Sequence, residues 1–153
     1  MPQFFMWKRP ECAVESDAKL IEDSKSMGRL GSSQHFVRCE VEVPIQAKPG
    51  EVLGFICWVE ISCADYTDLL AFRKNEDTAK PYERLVAGRL ANPVPCVVGS
   101  LGSEVKFQVQ NGDPTPYVRW VAPDSPVARL ITEGASQGYW HEAAVRMGWR
   151  ADA

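Results

Sequence analysis

The chain is poor in histidine. It has two, His35 and His141, far apart in sequence. A zinc site asks for about four ligands, typically cysteine pairs two to four residues apart or paired histidines. The five cysteines, Cys12, Cys39, Cys57, Cys63 and Cys96, supply no such pair. Neither a metal nor a cofactor is therefore expected. Their odd number and wide spacing also exclude a disulfide framework, and a thiol in an apolar strand behaves as a small hydrophobe. The G-x-S-x-G elbow of hydrolases is missing. So is the GK[ST] ending of a phosphate-binding loop, which makes the glycine-rich Gly99–Ser103 stretch a hairpin turn rather than a phosphate cradle. No apolar run approaches the length of about 20 residues that spans a bilayer. In the opening MPQFFMWKRP, Lys8 and Arg9 follow the short apolar stretch instead of preceding it, unlike an export signal. No repeat, low-complexity tract or long linker divides the chain. These absences predict one cytoplasmic domain over residues 1–153, with 1–30 its least readable part.

Positive charge falls slightly short of negative, with 17 Lys and Arg against 20 Asp and Glu. The net charge of −3 argues against nucleic acid and anionic membranes as partners. It is unevenly spread, with residues 1–77 carrying −4 and residues 78–153 carrying +1. The early acids, including Glu11, Glu15, Asp17, Glu22 and Asp23, read as a solvated face or as a docking surface for a basic partner. What is present in ordinary amounts is apolar residue, at 45%, beside 24% charged. That balance folds a globular core at this length without staples.

The residues of HFVRCEVEVPI alternate. His35, Val37, Cys39, Val41, Val43 and Ile45 share one face, and Phe36, Arg38, Glu40 and Glu42 the other, the period-two pattern of a half-buried strand. Pro49-Gly50 then suits a tight turn. Val52–Ser62 is apolar on both faces and reads as a central strand antiparallel to the first. Ser62 caps a short helix reaching about Phe72, with Tyr66, Leu69 and Leu70 buried. A polar loop over 73–81 follows. Short strand material is expected at Cys96–Val98, and clean alternation places Val105, Phe107 and Val109 inward. After the turn at 111–116, YVRWVA reads as a further strand. Ser125-Pro126 opens one closing helix, ended by Gly134, and Ser136 caps another. The stretch from Ala13 to Met27 has only the poor stripe of a frayed helix. Strands first and helices last predict an α+β fold, an antiparallel meandering sheet of about five strands with helices packed on one side.

The segments HFVRCEVEVPI, FICWVEIS, GRLANPVP and DSPVARLITEGAS, with the closing helix, resemble a bacterial family catalogued as domain of unknown function 2199. The likeness spans roughly residues 10–148. It implies fold and bacterial origin and brings no established activity. Two motifs depart from the family's pattern. Its paired-cysteine knuckle is reduced to Cys12 alone, and Ser125-Pro126-Val127 stands where relatives often show His-Pro-Leu. Metal or histidine chemistry is therefore not carried over.

Several constellations remain. Cys63, at a helix start, or Cys57, with a histidine as base, would make a small thiol-dependent enzyme. A pocket between sheet and C-terminal helices would make a small-molecule-binding sensory module. Glu40 and Glu42 share a strand face, where Arg38 makes them a charge ladder more readily than an acid–base pair. Tyr117-Val118-Arg119-Trp120 interleaves aromatics and a base, a weak signal for nucleic acid. The favoured expectation is a non-catalytic protein that binds another protein, in concrete form an immunity-type protein neutralising a basic toxin. Its expected contact residues are Phe36, Arg38, Glu40, Glu42, Trp58 and Glu60, on one face of the first hairpin. Core packing is the competing account of Trp58.

Overall fold

The computed structural model describes residues 3–16, 19–74, 82–109 and 115–149. The polar loop expected at 73–81 lies outside these from residue 75 on, as does most of the turn expected at 111–116. Among the described residues, no helix is long and apolar enough to cross a membrane.

The organising element is the expected long hairpin. Strands β4 (Gln34–Pro44) and β5 (Val52–Ile61) pair antiparallel from His35↔Ile61 to Pro44↔Val52. The turn between them places Gly50 at φ 84° and is closed by Glu51 N–H donating to the Lys48 carbonyl. Odd-numbered residues from Val37 to Val43 and from Leu53 to Ile61 point into one core with Val105, Phe107 and Val109. Strands β6 (Val86–Leu90), β7 (Glu104–Gln108) and β8 (Tyr117–Val121) continue the up-and-down path. A meander with an odd number of strands brings its last strand back running the same way as its first. Accordingly β8 meets β4 in parallel at Glu40↔Tyr117 and closes a five-stranded barrel. Closure removes the open edges that the expected meander would have left.

Among the described residues eight strands form the sheet, and the pairing is mixed. The simple antiparallel meander is thus corrected. The three extra strands come from the N-terminal segment. Strand β1 (Phe4–Met6) runs parallel to β5, placing Phe5 opposite Phe55 with the rings stacked at 5.5 Å. Helix α1 spans Glu11–Ser16, and β2 (Ile21–Ser24) and β3 (Met27–Leu30) form a hairpin on the edge of β4. Of the helix expected over 13–27, residues 13–16 are helical in α1, and from Ile21 on the segment forms instead a hairpin whose turn holds Ser26 at φ 65°. A second correction concerns Cys96–Val98, which lies in turns, whereas the strand forms earlier, at Val86–Leu90.

Helix α2 (Cys63–Lys74) starts where β5 ends, with Asp65 N–H donating to Ser62 Oγ. It buries Tyr66 and Leu69 and sets Tyr66 against His35; Leu70 is half-buried. Helices α3 (Pro126–Glu133) and α4 (Gln137–Arg146) are capped by Ser125 and Ser136. Their junction sits at the other end of β4, where Ala135 donates to the Pro44 carbonyl at 2.7 Å and bridges Ile45. The helices thus hold both ends of the hairpin rather than one side of a flat sheet.

Candidate functional site

The expected contact face is divided by the N-terminal segment. Phe36 and Trp58 are 0% exposed and form a second core with Ala13 and Leu30. Burying two rings of this size contributes roughly 2–3 kcal/mol each from apolar area alone. A partner docking on the folded chain does not reach them, and core packing is their role. Arg38 caps this core, its guanidinium 5.0 Å over the Trp58 ring and its Nη2 3.9 Å from Glu22. Glu40 is half-buried and Glu42 exposed. Both lie further along β4, where Gly54 leaves room for the Glu40 carboxylate above the β5 backbone. Only Glu60 belongs to the most distinctive surface of the molecule.

That surface is the outer face of β6, β7 and β8 with the end of β5. Residues of alternate parity point outward here because their neighbours Val86, Val105 and Phe107 point into the barrel. A depression of about 510 Å3 is lined by Glu60, Gly88, Arg89, Glu104, Lys106 and Trp120, among others. Trp120 stays 38% exposed, opposite Lys106 in the strand register. The Lys106 ammonium lies 4.9 Å from the Trp120 ring centre. Beside it, at the irregularity in the β7–β8 register, Arg119 sits 5.5 Å from the Tyr117 ring and donates from Nε to Gln108 Oε1 at 3.1 Å. Arg89 pairs with Glu104 at 3.1 Å. Cations over ring faces are attracted by the ring quadrupole, and each contact fixes one long side chain against one flat one. The face is a set of pre-positioned aromatic and guanidinium groups on a closed sheet. In the sequence, Tyr117, Arg119 and Trp120 stand out only as part of a four-residue string. No local pattern shows that β7 and β8 pair so as to put Lys106 and Trp120 side by side.

Residues 2–135 match the family described as an uncharacterized protein conserved in bacteria (DUF2199). The chain belongs to this family. Comparison with curated proteins and with solved structures gives no match. In this DUF2199 member, the GRLANPVP motif is explained by the fold. A Cβ at Gly88 would lie 2.5 Å from Val59 Cγ1 and 2.6 Å from the Glu60 carbonyl, so β6 approaches β5 only as glycine. Leu90 is buried in the barrel core. Asn92 is fully buried, accepting from Trp58 N–H and donating to the Arg9 carbonyl, both at 2.8 Å. Pro95 offers its carbonyl to Tyr139 Oη at 2.8 Å. The serines of the glycine-rich loop likewise serve the loop itself. Ser100 Oγ accepts from Val94 N–H and donates to the Val97 carbonyl, and Ser103 Oγ donates to the Ser100 carbonyl.

The thiols are spread over unlike surroundings. Cys39 and Cys57 face each other across β4 and β5, free and 0% exposed. Burial pushes the Cys57 thiol up to about 12 and holds Cys39 well above its ordinary value. Burial also raises Cys12 and Cys96. Cys63 is exposed at the start of α2. His35 is buried, its ring 4.9 Å from Tyr66, while His141 is exposed on α4, 5.9 Å from Trp149. Among the described residues, no cluster of histidine, cysteine, aspartate and glutamate is arranged to hold a metal ion. Thiolate is the reactive form, so a buried thiol held well above its ordinary value is a poor nucleophile. Alkylation of the native protein at pH 8, followed by mass mapping, should label Cys63 first. Cys39 and Cys57 should be labelled only on unfolding. Early labelling of Cys57 would contradict this picture.

Proposed function

We propose that this protein is a non-catalytic recognition protein that binds another protein through the outer face of β6–β8, with Trp120 at its centre. The observation that supports it is the half-exposed Trp120 set among Arg89, Lys106, Arg119 and Tyr117 on a closed barrel. Tryptophan, tyrosine and arginine dominate the energetics of protein interfaces, where they anchor a contact that neighbours shield from water. A closed sheet loses little freedom on binding, so more of the contact energy appears as affinity.

Charge narrows the partner. Many carboxylates of the acidic N-terminal half are already engaged. Asp23 accepts from Arg29 and Tyr66, while Asp65 and Asp68 meet Arg84. The proposed face offers Arg89, Lys106 and Arg119 against Glu60 and Glu104. The reading therefore favours a partner that brings carboxylates to the rim and an apolar side chain onto Trp120. An immunity-type role, with a toxin of the same cell as that partner, is the concrete form of the proposal. It departs from the basic toxin expected from sequence by placing the contact on the basic half of the chain.

The test is crosslinking and copurification of the full chain from its own cells, comparing wild type, Trp120→Ala and Val145→Ala. Val145 is an exposed apolar residue on α4 and serves as the control. Trp120→Ala should weaken binding of the captured partner by about 30-fold or more, the scale of an interface anchor, with the melting temperature unchanged. Val145→Ala should bind normally. A partner held equally by all three, or no partner for the wild type, rejects the proposal.

A further inference from the structure

Outside the closed barrel two strands keep one free side each, β1 at one end of the strand order and β2 at the other. An unpaired row of N–H and C=O groups is a template for another strand, and natural edges are blunted by charge or by a bulge. Strand β2 has both, with Glu22 and Asp23 in it and a shift of register between Glu22 and Ser24. Strand β1 has neither. It reads Phe4-Phe5-Met6, with Phe4 50% and Met6 44% exposed, while Phe5 is held inward against Phe55. Gly54 N–H donates to the Gln3 carbonyl and Trp7 N–H to the Ile56 carbonyl. Backbone groups alternate in direction along a strand, so those of residues 3, 5 and 7 face β5 and those of Phe4 and Met6 face outward. Among the described residues nothing pairs with these outward backbone groups.

The charge beside β1 changes sign along its length. At the Phe4 end, Glu42 stands opposite Gly54, itself opposite Phe4, and the Glu40 carboxylate reaches over the same glycine. At the Met6 end, Arg38 Nη1 lies 3.3 Å from Met6 Sδ, and Lys8 and Arg9 come next in the chain. Arg38 is partly offset by Glu22 at 3.9 Å. Lys8, Arg9 and Glu42 make no ion pair among the described residues, so the two ends stay opposite in sign.

From this arrangement we infer that β1 is the docking edge for a second copy of this chain, the two strands pairing antiparallel across a two-fold axis at Phe5. That axis sets Phe4 of each copy opposite Met6 of the other. These are the residues whose backbone groups face outward, so each pair exchanges both N–H···O=C bonds. Each pair also brings a methionine sulfur to a phenyl ring, a favourable contact. A shift of register by two residues would pair only one of the two. The same rotation lays the acidic end of one β1 beside the basic end of the other, which favours this orientation. Such an interface closes at two copies and buries less than a standard one, so the association is weak. The inference is independent of the Trp120 face, which lies on β6, β7 and β8.

Sedimentation equilibrium of the full chain, from about 5 µM to about 1 mM, should show the mass rising from one chain toward two. Amide exchange of Phe4 and Met6 should slow over the same range. Phe4→Lys and Met6→Glu each spoil the apolar pair. Both side chains are exposed, and each new charge has an opposite one beside it in its own copy, Glu42 or Arg38, so the variants retain the fold. Either variant alone should dimerise at least about tenfold more weakly than the wild type. Mixed together they should recover about fivefold, because the two-fold sets the changed position 4 of one opposite the changed position 6 of the other. Trp120→Ala should dimerise as the wild type does. A one-chain mass at every concentration would overturn the inference and leave the edge to a strand of another protein. A dimer indifferent to both β1 variants, no recovery on mixing, or loss of the dimer in Trp120→Ala would each overturn it as well.

Discussion

Gly88→Ala is expected to lower stability by about 3 kcal/mol or more, near the top of the usual cost of overpacking a core. The added methyl would sit 2.5 Å from Val59 Cγ1, 2.6 Å from the Glu60 carbonyl oxygen and 3.0 Å from Ile61 Cγ2. A side-chain end can swing aside, but the Glu60 backbone oxygen near the end of β5 cannot move without disturbing the pairing of β5 with β4 and β6. Glu60 is also where β6 joins the barrel, opposite Arg89. The clash therefore strains the short β5–β6 ladder on which closure depends. For a chain of this size, about 3 kcal/mol lowers the melting temperature by roughly 6–12 °C. Gly138→Ala makes the matching control. It lies in the first turn of α4 with only Ser136 Oγ as a neighbour, at 4.0 Å, and alanine favours helix. Thermal unfolding followed by circular dichroism should show a large drop for the first variant and none for the second. Equal behaviour would mean that β6 does not lie so close to β5.

The elements legible in the sequence were those whose signal is local. Alternation marked β4 and β7, the continuous apolar run marked β5, and Pro49-Gly50 marked the turn. Serine caps followed by proline or a helical stripe marked α2, α3 and α4. What escaped depends on contacts between distant segments. Strand β6 is five residues long with Gly88 at its centre, and glycine weakens the strand pattern. The turn between β2 and β3 carries Ser26 where glycine or asparagine would announce a hairpin. Closure of the barrel is a property of strand number and stagger, which no single segment displays. The candidate site was hidden for the same reason. Trp58 and Trp120 both face away from the barrel interior. The first is sealed by α1 and β3 and the second is left open, a difference set by the N-terminal segment, where the sequence was least readable.

One buried side chain spans that seal, and it leads to the second large effect. Asn92 lies beyond β6 and is fully buried. Its carbonyl oxygen accepts from Trp58 N–H and its amide donates to the Arg9 carbonyl, so a single residue ties the β6–β7 loop to both β5 and the N-terminal segment. The neighbouring backbone continues the seam, with Ala91 N–H on the Trp58 carbonyl and Glu11 N–H on the Ala91 carbonyl. Asn92→Ala strips the buried Trp58 N–H of its acceptor and the Arg9 carbonyl of its donor, and it leaves a small void. Each unsatisfied buried group costs about 1–3 kcal/mol, so a loss of about 2–4 kcal/mol is expected for the pair after partial relaxation. Asn92→Asp keeps an acceptor for Trp58 but sets a carboxylate against the Arg9 carbonyl, so it should not rescue stability. Urea unfolding measures the loss, and native-state hydrogen exchange locates it. Amides of residues 5–13 and of Trp58 should lose protection together, while those of β7 and β8 keep theirs until global unfolding. If the N-terminal amides stay protected in Asn92→Ala, the segment is held over Trp58 by its apolar contacts alone, and the asparagine is dispensable to the seal.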